Sequence, residues 1–185
     1  KDAEGHRQIR EISSRAWCRS YMARGMRRVP TYYQDLFDII RQNRGHIIGS
    51  TACLGGALPT QLLKYRDTND MTLLNKIYIW INQMDEIFGH GDFYFELQPS
   101  TNKDQIYVNQ FLMNLSVELD IPCIITTDSH YLKKEDAYNH EVLLCIQTGK
   151  KMSDMDRMRF ETDDFYIKSP EEVKEFFPNL SEALE

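Results

Sequence analysis

Asp92-Phe-Tyr-Phe-Glu-Leu-Gln98 and Ile121-Pro-Cys-Ile-Ile-Thr-Thr127 are two apolar runs of strand character, and the segment between them has helical spacing. Gly91 and Pro99 bound the first run. Asn102-Lys-Asp-Gln105 then matches a capping box, and Val108, Phe111, Leu112, Leu115 and Leu119 recur at helical intervals. Strand, helix, strand in this order predicts parallel strands joined by a crossover. The pattern extends upstream. His46-Ile-Ile-Gly-Ser50 reads as a buried strand, residues 57–66 as a helix with Pro59 in its first turn, and residues 70–88 as the clearest helix. That helix carries Leu74, Ile77, Ile81, Met84 and Phe88 on one face, and Gly89 is placed to end it in a left-handed conformation.

Outside this block the signals are simpler. Residues 6–20 read as a helix with Ile9, Ile12 and Ala16 on one face, and 19–28 as a loop or fraying helix end around Gly25. Thr31-Tyr-Tyr-Gln34 is a second capping-box match, followed by Leu36, Ile39 and Ile40. Downstream, 135–147 form a helix stopped near Gly149, 150–164 are polar and irregular, and Phe165-Tyr-Ile-Lys168 is briefly extended. Ser169-Pro-Glu-Glu172 opens a last helix with a cap, a first-turn Pro and a third-position Glu. The expected fold class is therefore α/β with mainly parallel strands.

The chain has 185 residues, 42% apolar and 27% charged. That length fits one domain burying about 70% of its unfolded surface. No apolar run reaches the ~20 residues of a membrane span, so no membrane partner is expected. Cys18, Cys53, Cys123 and Cys145 lie far apart, which suits reduced thiols and a cytoplasmic location. On that reading the Asn114-Leu-Ser116 and Asn179-Leu-Ser181 matches carry no sugar. A start at Lys1, with no signal-peptide pattern, suggests a piece of a longer protein.

The net charge of −6 is unevenly spread: residues 1–30 hold eight basic and three acidic side chains, a balance of +5, leaving −11 for the rest. An acidic body argues against a dedicated DNA clamp. Arg19, Arg24, Arg27 and Arg28 are the candidates for a phosphate-facing stripe. The simpler reading of the basic opening, a solvated helix face docked on an acidic neighbour, is preferred.

Sites in α/β folds form where strands end. Two loops qualify, Gly49-Ser-Thr-Ala-Cys-Leu-Gly-Gly56 and Thr126-Thr-Asp-Ser-His-Tyr131. Cys53, Asp128 and His130 are all good ligands for Zn²⁺ or a similar ion. In an extended chain residues i and i+2 share a side, so Asp128 and His130 can aim at one point. Structural readings stay open beside this one: a free Cys is usually a small buried hydrophobe, and Asp after a strand often caps a turn. Glu96, inside a buried strand, needs a hydrogen-bonding partner. No Gly-rich phosphate loop, nucleophile elbow or HExxH motif is present, and no residue is assigned a catalytic role.

Taken together, these segments resemble the PHP (polymerase and histidinol phosphatase) domain of bacterial replicative DNA polymerase III alpha subunits. The resemblance is carried by residues 48–56, 121–136 and 140–149, by Arg157-Met-Arg-Phe160, and by 165–172. The run from Asp128 to Glu172 is specific to this family, and weaker similarity covers nearly the whole chain. The resemblance implies a partial distorted (β/α)7 PHP barrel, in which 1–45 is a basic helical segment, 46–149 hold the βα units, and 150–185 lead towards the polymerase palm. It places the family's late cysteine on Cys53 and its final Asp-x-His on Asp128 and His130. The family's early His-x-His pair and its middle ligands have no match here and are expected upstream.

The implied function is DNA replication, with the domain as scaffold and, where its metal cluster is complete, as a metal-dependent 3′–5′ proofreading exonuclease. Zn²⁺ or Mn²⁺ is the implied cofactor, its site incomplete in this chain. The implied partners are the rest of the alpha subunit and, through it, DNA. A partial barrel leaves sheet edges open, so self-association is also expected. The alternative is a free-standing PHP-type phosphoesterase acting on a small phosphate monoester. A third reading is an interaction module in which Cys53, Asp128 and His130 are structural.

Overall fold

The computed structural model describes residues 1–178; the Asn179-Leu-Ser181 match and the end of the 150–185 segment lie outside them. The elements run α1 (Ala3–Cys18), β1 (Tyr21–Ala23), β2 (Met26–Arg28), α2 (Tyr33–Leu36), β3 (Gly49–Ser50), α3 (Ala57–Thr68), α4 (Met71–Phe88), β4 (Phe93–Leu97), α5 (Lys103–Leu119), β5 (Cys123–Ile125), α6 (Ala137–Thr148) and α7 (Pro170–Phe176). A π-type turn, Phe37–Arg41, extends α2, and a 3₁₀ turn, Lys134–Asp136, leads into α6.

The fold is mixed α/β around a parallel sheet of order β3-β4-β5. Gly49 pairs with Phe93 and Ser50 with Tyr94; Phe95, Glu96 and Leu97 pair with Cys123, Ile124 and Ile125. Phe93, Phe95 and Leu97 are buried on one face of β4, while Tyr94 and Glu96 on the other are half-buried. Strand existence and order agree with the sequence reading, but the paired stretches are shorter. Only Gly49 and Ser50 of the 46–50 run pair, and Ile48 is 51% exposed.

Chain contacts divide the molecule into two compact units: Lys1–Ser50 with Tyr65–Tyr94, and Thr51–Lys64 with the chain from Phe95 onward. In the first, Ile39, Ile40, Ile47, Leu73, Ile77, Ile81, Met84, Ile87 and Phe93 form the apolar core. The buried stripe of α4 is thus shifted by one residue at its ends, with Leu73 and Ile87 inside and Leu74 and Phe88 half-buried. In α1 the buried positions are Gly5, Gln8 and Ala16, while Ile9 is 54% exposed. The cause is polar: the π-type turn leaves backbone carbonyls to satisfy, and Gln8 Nε2 donates to Ile39 O (3.1 Å) and Asn43 O (2.7 Å). The second unit buries Leu58, Leu62, Phe95, Leu97, Val108, Leu112, Leu115, Ile121, Leu144, Cys145, Val173 and Phe177.

Helix ends test the capping signals one by one. Ser169 caps α7 reciprocally with Glu172, as expected. Asn102 caps α5 by accepting from Asp104 N and Gln105 N, but Gln105 does not reach back, because its amide donates to Asn109 Oδ1 at 2.9 Å. The Thr31 box does not form. Its helix starts one residue later, at Tyr33, and Gln34 donates to Asp38 instead. Gly149 ends α6 in the left-handed region, whereas Gly89 ends α4 with φ +100° and an extended ψ of 142°.

The segment 19–28 is an antiparallel hairpin rather than a loop or fraying helix end. Tyr21 pairs with Arg28, Met22 with Arg27 and Ala23 with Met26. Arg24 and Gly25 both take positive φ, 51° and 74°, which gives the turn the twist a two-residue hairpin requires. Among the described residues, no helix is long and apolar enough to cross a membrane.

Candidate functional site

The strand-end loops of the second unit form a polar site held by side-chain bonds. Thr51 is buried, and its hydroxyl accepts from Glu96 N at 2.9 Å, fixing the loop after β3 to β4. Glu96 Oε1 accepts from Thr126 Oγ1 (2.6 Å) and Gln98 Nε2 (3.2 Å), the hydrogen-bonding role its position in the strand demands. Beyond it, Gln98 N donates to Asn109 Oδ1 (3.2 Å) and Asn109 Nδ2 donates to Gln98 O (2.7 Å). Asn109 on α5 therefore substitutes for a strand partner where β4 stops.

A shallow pocket lies at these ends, its lining including Leu54, Gln98, Asn102, Asp128, Asp164 and Phe165. Asp164 is 6% exposed. Its Oδ2 accepts from Thr101 N (2.7 Å), Thr101 Oγ1 (2.6 Å) and Ser100 Oγ (3.3 Å). Burial pushes this carboxyl upward, but the bonds from the Thr101 side chain and backbone outweigh it and hold it below the ordinary value. Lys168, equally buried, donates to Asp164 O and lies 4.4 Å from the centre of the Tyr166 ring. Burial lowers its pKa, and the nearby Asp164 charge opposes the shift. Tyr166 is pushed up to about 12 by burial and by its hydrogen bond to Glu172.

The three sequence-predicted ligands sit on these loops. Asp128 lines the pocket with φ 46°, a left-handed conformation that Asp tolerates. That φ breaks the extended alternation, so the i, i+2 argument for a shared aim does not hold. Instead the His130 ring folds back, with Nδ1 2.7 Å from Asp128 O. A carbonyl accepts only, so Nδ1 carries the proton and Nε2 is left as the donor atom a metal would use. The ring packs against Phe160 (5.0 Å), Phe165 (5.4 Å) and His140 (5.7 Å). His140 has its pKa lowered, first by burial and then by His130. Cys53 is a half-buried free thiol in a tight turn closed by Gly56 N donating to Cys53 O at 2.7 Å. Among the described residues, no three His, Cys, Asp or Glu are gathered to hold a metal ion.

Asp164 and Asn109 are site residues that the sequence reading missed. The only local signal for Asp164 was an acidic pair, Asp163-Asp164, ahead of the apolar Phe165-Tyr-Ile167.

In the first unit, Arg19 is committed internally: it donates to buried Asp35 and its guanidinium lies 5.4 Å from the Tyr32 ring centre. Arg7 pairs with Glu4 and Glu11, and Arg15 with Glu11 and Asp35. Arg15 and Arg19 thus reach a carboxylate on another element, Asp35 of α2, whereas the partners of Arg7 lie on its own helix.

No family model matches the chain. Curated proteins similar to the chain include several DNA polymerases. A probable DNA polymerase, YorL, of Bacillus subtilis is 35% identical over 94% of this chain and 14% of its own length. The DNA polymerase III subunit alpha of Borreliella burgdorferi is 40% identical over 83% of the chain and 13% of its own length. That of Campylobacter jejuni is 32% identical over the whole chain and 15% of its own length. The chain thus spans about a seventh of the length of the relatives it matches.

Proposed function

We propose that the chain is a segment of a replicative DNA polymerase alpha subunit, drawn from its PHP domain. Its work there is to scaffold the enzyme and to supply part of a divalent-metal site. The observation that carries this reading is similarity along 83–100% of the chain to proteins named DNA polymerase III subunit alpha. The parallel strands, with a polar pocket at their C-terminal ends, are compatible with part of a βα barrel.

Cys53, Asp128 and His130 would hold Zn²⁺ or Mn²⁺ together with ligands from elsewhere in the polymerase. Their donor chemistry suits such an ion: a thiol, a carboxylate, and an imidazole whose Nδ1 proton is held by a carbonyl. A divalent ion in that position supplies neutralisation of phosphodiester charge, the requirement for 3′–5′ exonuclease proofreading. The chain's own contribution is orientation: Asp128 O fixes the His130 ring, and Phe160 and Phe165 hold its edge.

Native mass spectrometry of the parent polypeptide that contains the chain, with Zn²⁺ or Mn²⁺, tests the metal role. Bound metal is expected in the unaltered parent and is expected to fall at least tenfold in occupancy in Asp128→Asn. Equal metal content in Asp128→Asn, His130→Ala and Cys53→Ser contradicts the assignment, and so does absence of metal from the unaltered parent at every concentration.

A further inference from the structure

We propose that the β1–β2 hairpin is a contact for the backbone of a single nucleic acid strand, a role that rests on the polymerase reading. Of the basic residues in the first 30, Lys1, Arg7, Arg15 and Arg19 have carboxylate partners within the fold. Arg10 on α1 does not, and nor do the three hairpin residues Arg24, Arg27 and Arg28. Among the described residues none of the three makes an ion pair, and Arg27 has only a neutral contact, to Ser20 Oγ at 3.0 Å. In a chain with 28 acidic residues, three exposed arginines on one short hairpin, with Arg27 and Arg28 on its opposite faces, offer an external anion a contact.

The hairpin register adds a second component. Tyr21 stands opposite Arg28, and Met22 opposite Arg27, so each face pairs a cation with an aromatic ring or a thioether. Tyr21, Met22 and Met26 are 53–61% exposed. An isolated two-stranded hairpin is marginal in water, and this one shows its large side chains to solvent. Guanidinium groups on phosphates beside a ring on which a base stacks is how single strands are held without sequence preference. An acidic protein surface would satisfy the arginines but not the exposed ring. The body's charge of −11 confines the contact to this hairpin.

The test is fluorescence anisotropy of a labelled single-stranded oligonucleotide titrated with the 185-residue chain at 50–200 mM KCl. Three phosphate contacts give a log–log salt slope of about −2, or about 20-fold tighter binding at 50 than at 200 mM. Replacing Arg24, Arg27 and Arg28 together by Ala is expected to remove that slope. Tyr21→Ala is expected to weaken binding about tenfold at an unchanged slope. Unchanged thermal unfolding certifies the fold of each variant. The proposal is overturned if the unaltered chain does not bind at 50 mM KCl, or if the triple variant binds as tightly. It is also overturned if Tyr21→Ala has no effect and polyglutamate competes as well as DNA, which would make the hairpin a protein-docking surface. Failure of the polymerase reading shows separately, as absence of primer extension by the parent protein.

Discussion

Asp164→Ala is expected to lower the unfolding free energy at pH 7 by about 3 kcal/mol. The carboxylate is buried, and one oxygen accepts from Thr101 N, Thr101 Oγ1 and Ser100 Oγ. Truncation leaves these donors without their acceptor at the mouth of β4. It also strips buried Lys168 of the nearby negative charge that opposes its desolvation. Thr101 is where the chain turns into α5, so the loss spreads to that helix start. The pH dependence follows from the direction of the Asp164 shift. Its folded pKa lies below the ordinary 3.8, so its contribution is complete above about pH 4 and is lost as pH falls through the lower folded value. Urea unfolding at pH 7 and pH 3 should show the gap between wild type and Asp164→Ala narrowing on acidification. A gap that is constant, or that widens in acid, contradicts the role.

Gly56→Ala is expected to cost about 2 kcal/mol, a fall in Tm of about 6 °C for a chain of this size. A Cβ at Gly56 would stand 2.6 Å from Thr51 O and 2.9 Å from Cys53 O, both backbone atoms of the same tight turn. The turn cannot simply open, because Thr51 is tied to β4 through Glu96 N. Gly55 is the internal control. A Cβ there meets nothing within 4 Å, so Gly55→Ala should change stability by less than about 0.5 kcal/mol. Equal effects at the two glycines, read by differential scanning calorimetry, would show that the turn is looser than described. Because the turn also carries Cys53, metal content should fall with Gly56→Ala and not with Gly55→Ala.

The sequence made some of these features legible and hid others for physical reasons. The order of β3, β4 and β5 and the helices between them could be read, because Phe93, Phe95 and Leu97 alternate along one strand and the apolar stripe of α4 keeps its period. Strand lengths could not: an apolar run such as Ile47-Ile48 reads the same whether or not it pairs. The hairpin was hidden by Arg24, which takes the left-handed region without being Gly. At the site, the loops carrying Asp128 and His130 were legible as strand ends, but their geometry was not, because the positive φ of Asp128 cancels the two-residue alternation. Asp164 carried only a weak local signal, the acidic pair Asp163-Asp164 ahead of an apolar run. Its partner Thr101 lies 63 residues away, and only the fold joins them.

The most direct test of the central claim is templated primer extension by the full-length parent polypeptide that contains this chain, supplied with Mg²⁺ and deoxynucleotides. Extension of the primer is expected, with no hydrolysis of a small phosphate monoester such as p-nitrophenyl phosphate. A parent that leaves the primer unextended and hydrolyses the monoester would contradict it and assign the chain to a free-standing phosphoesterase.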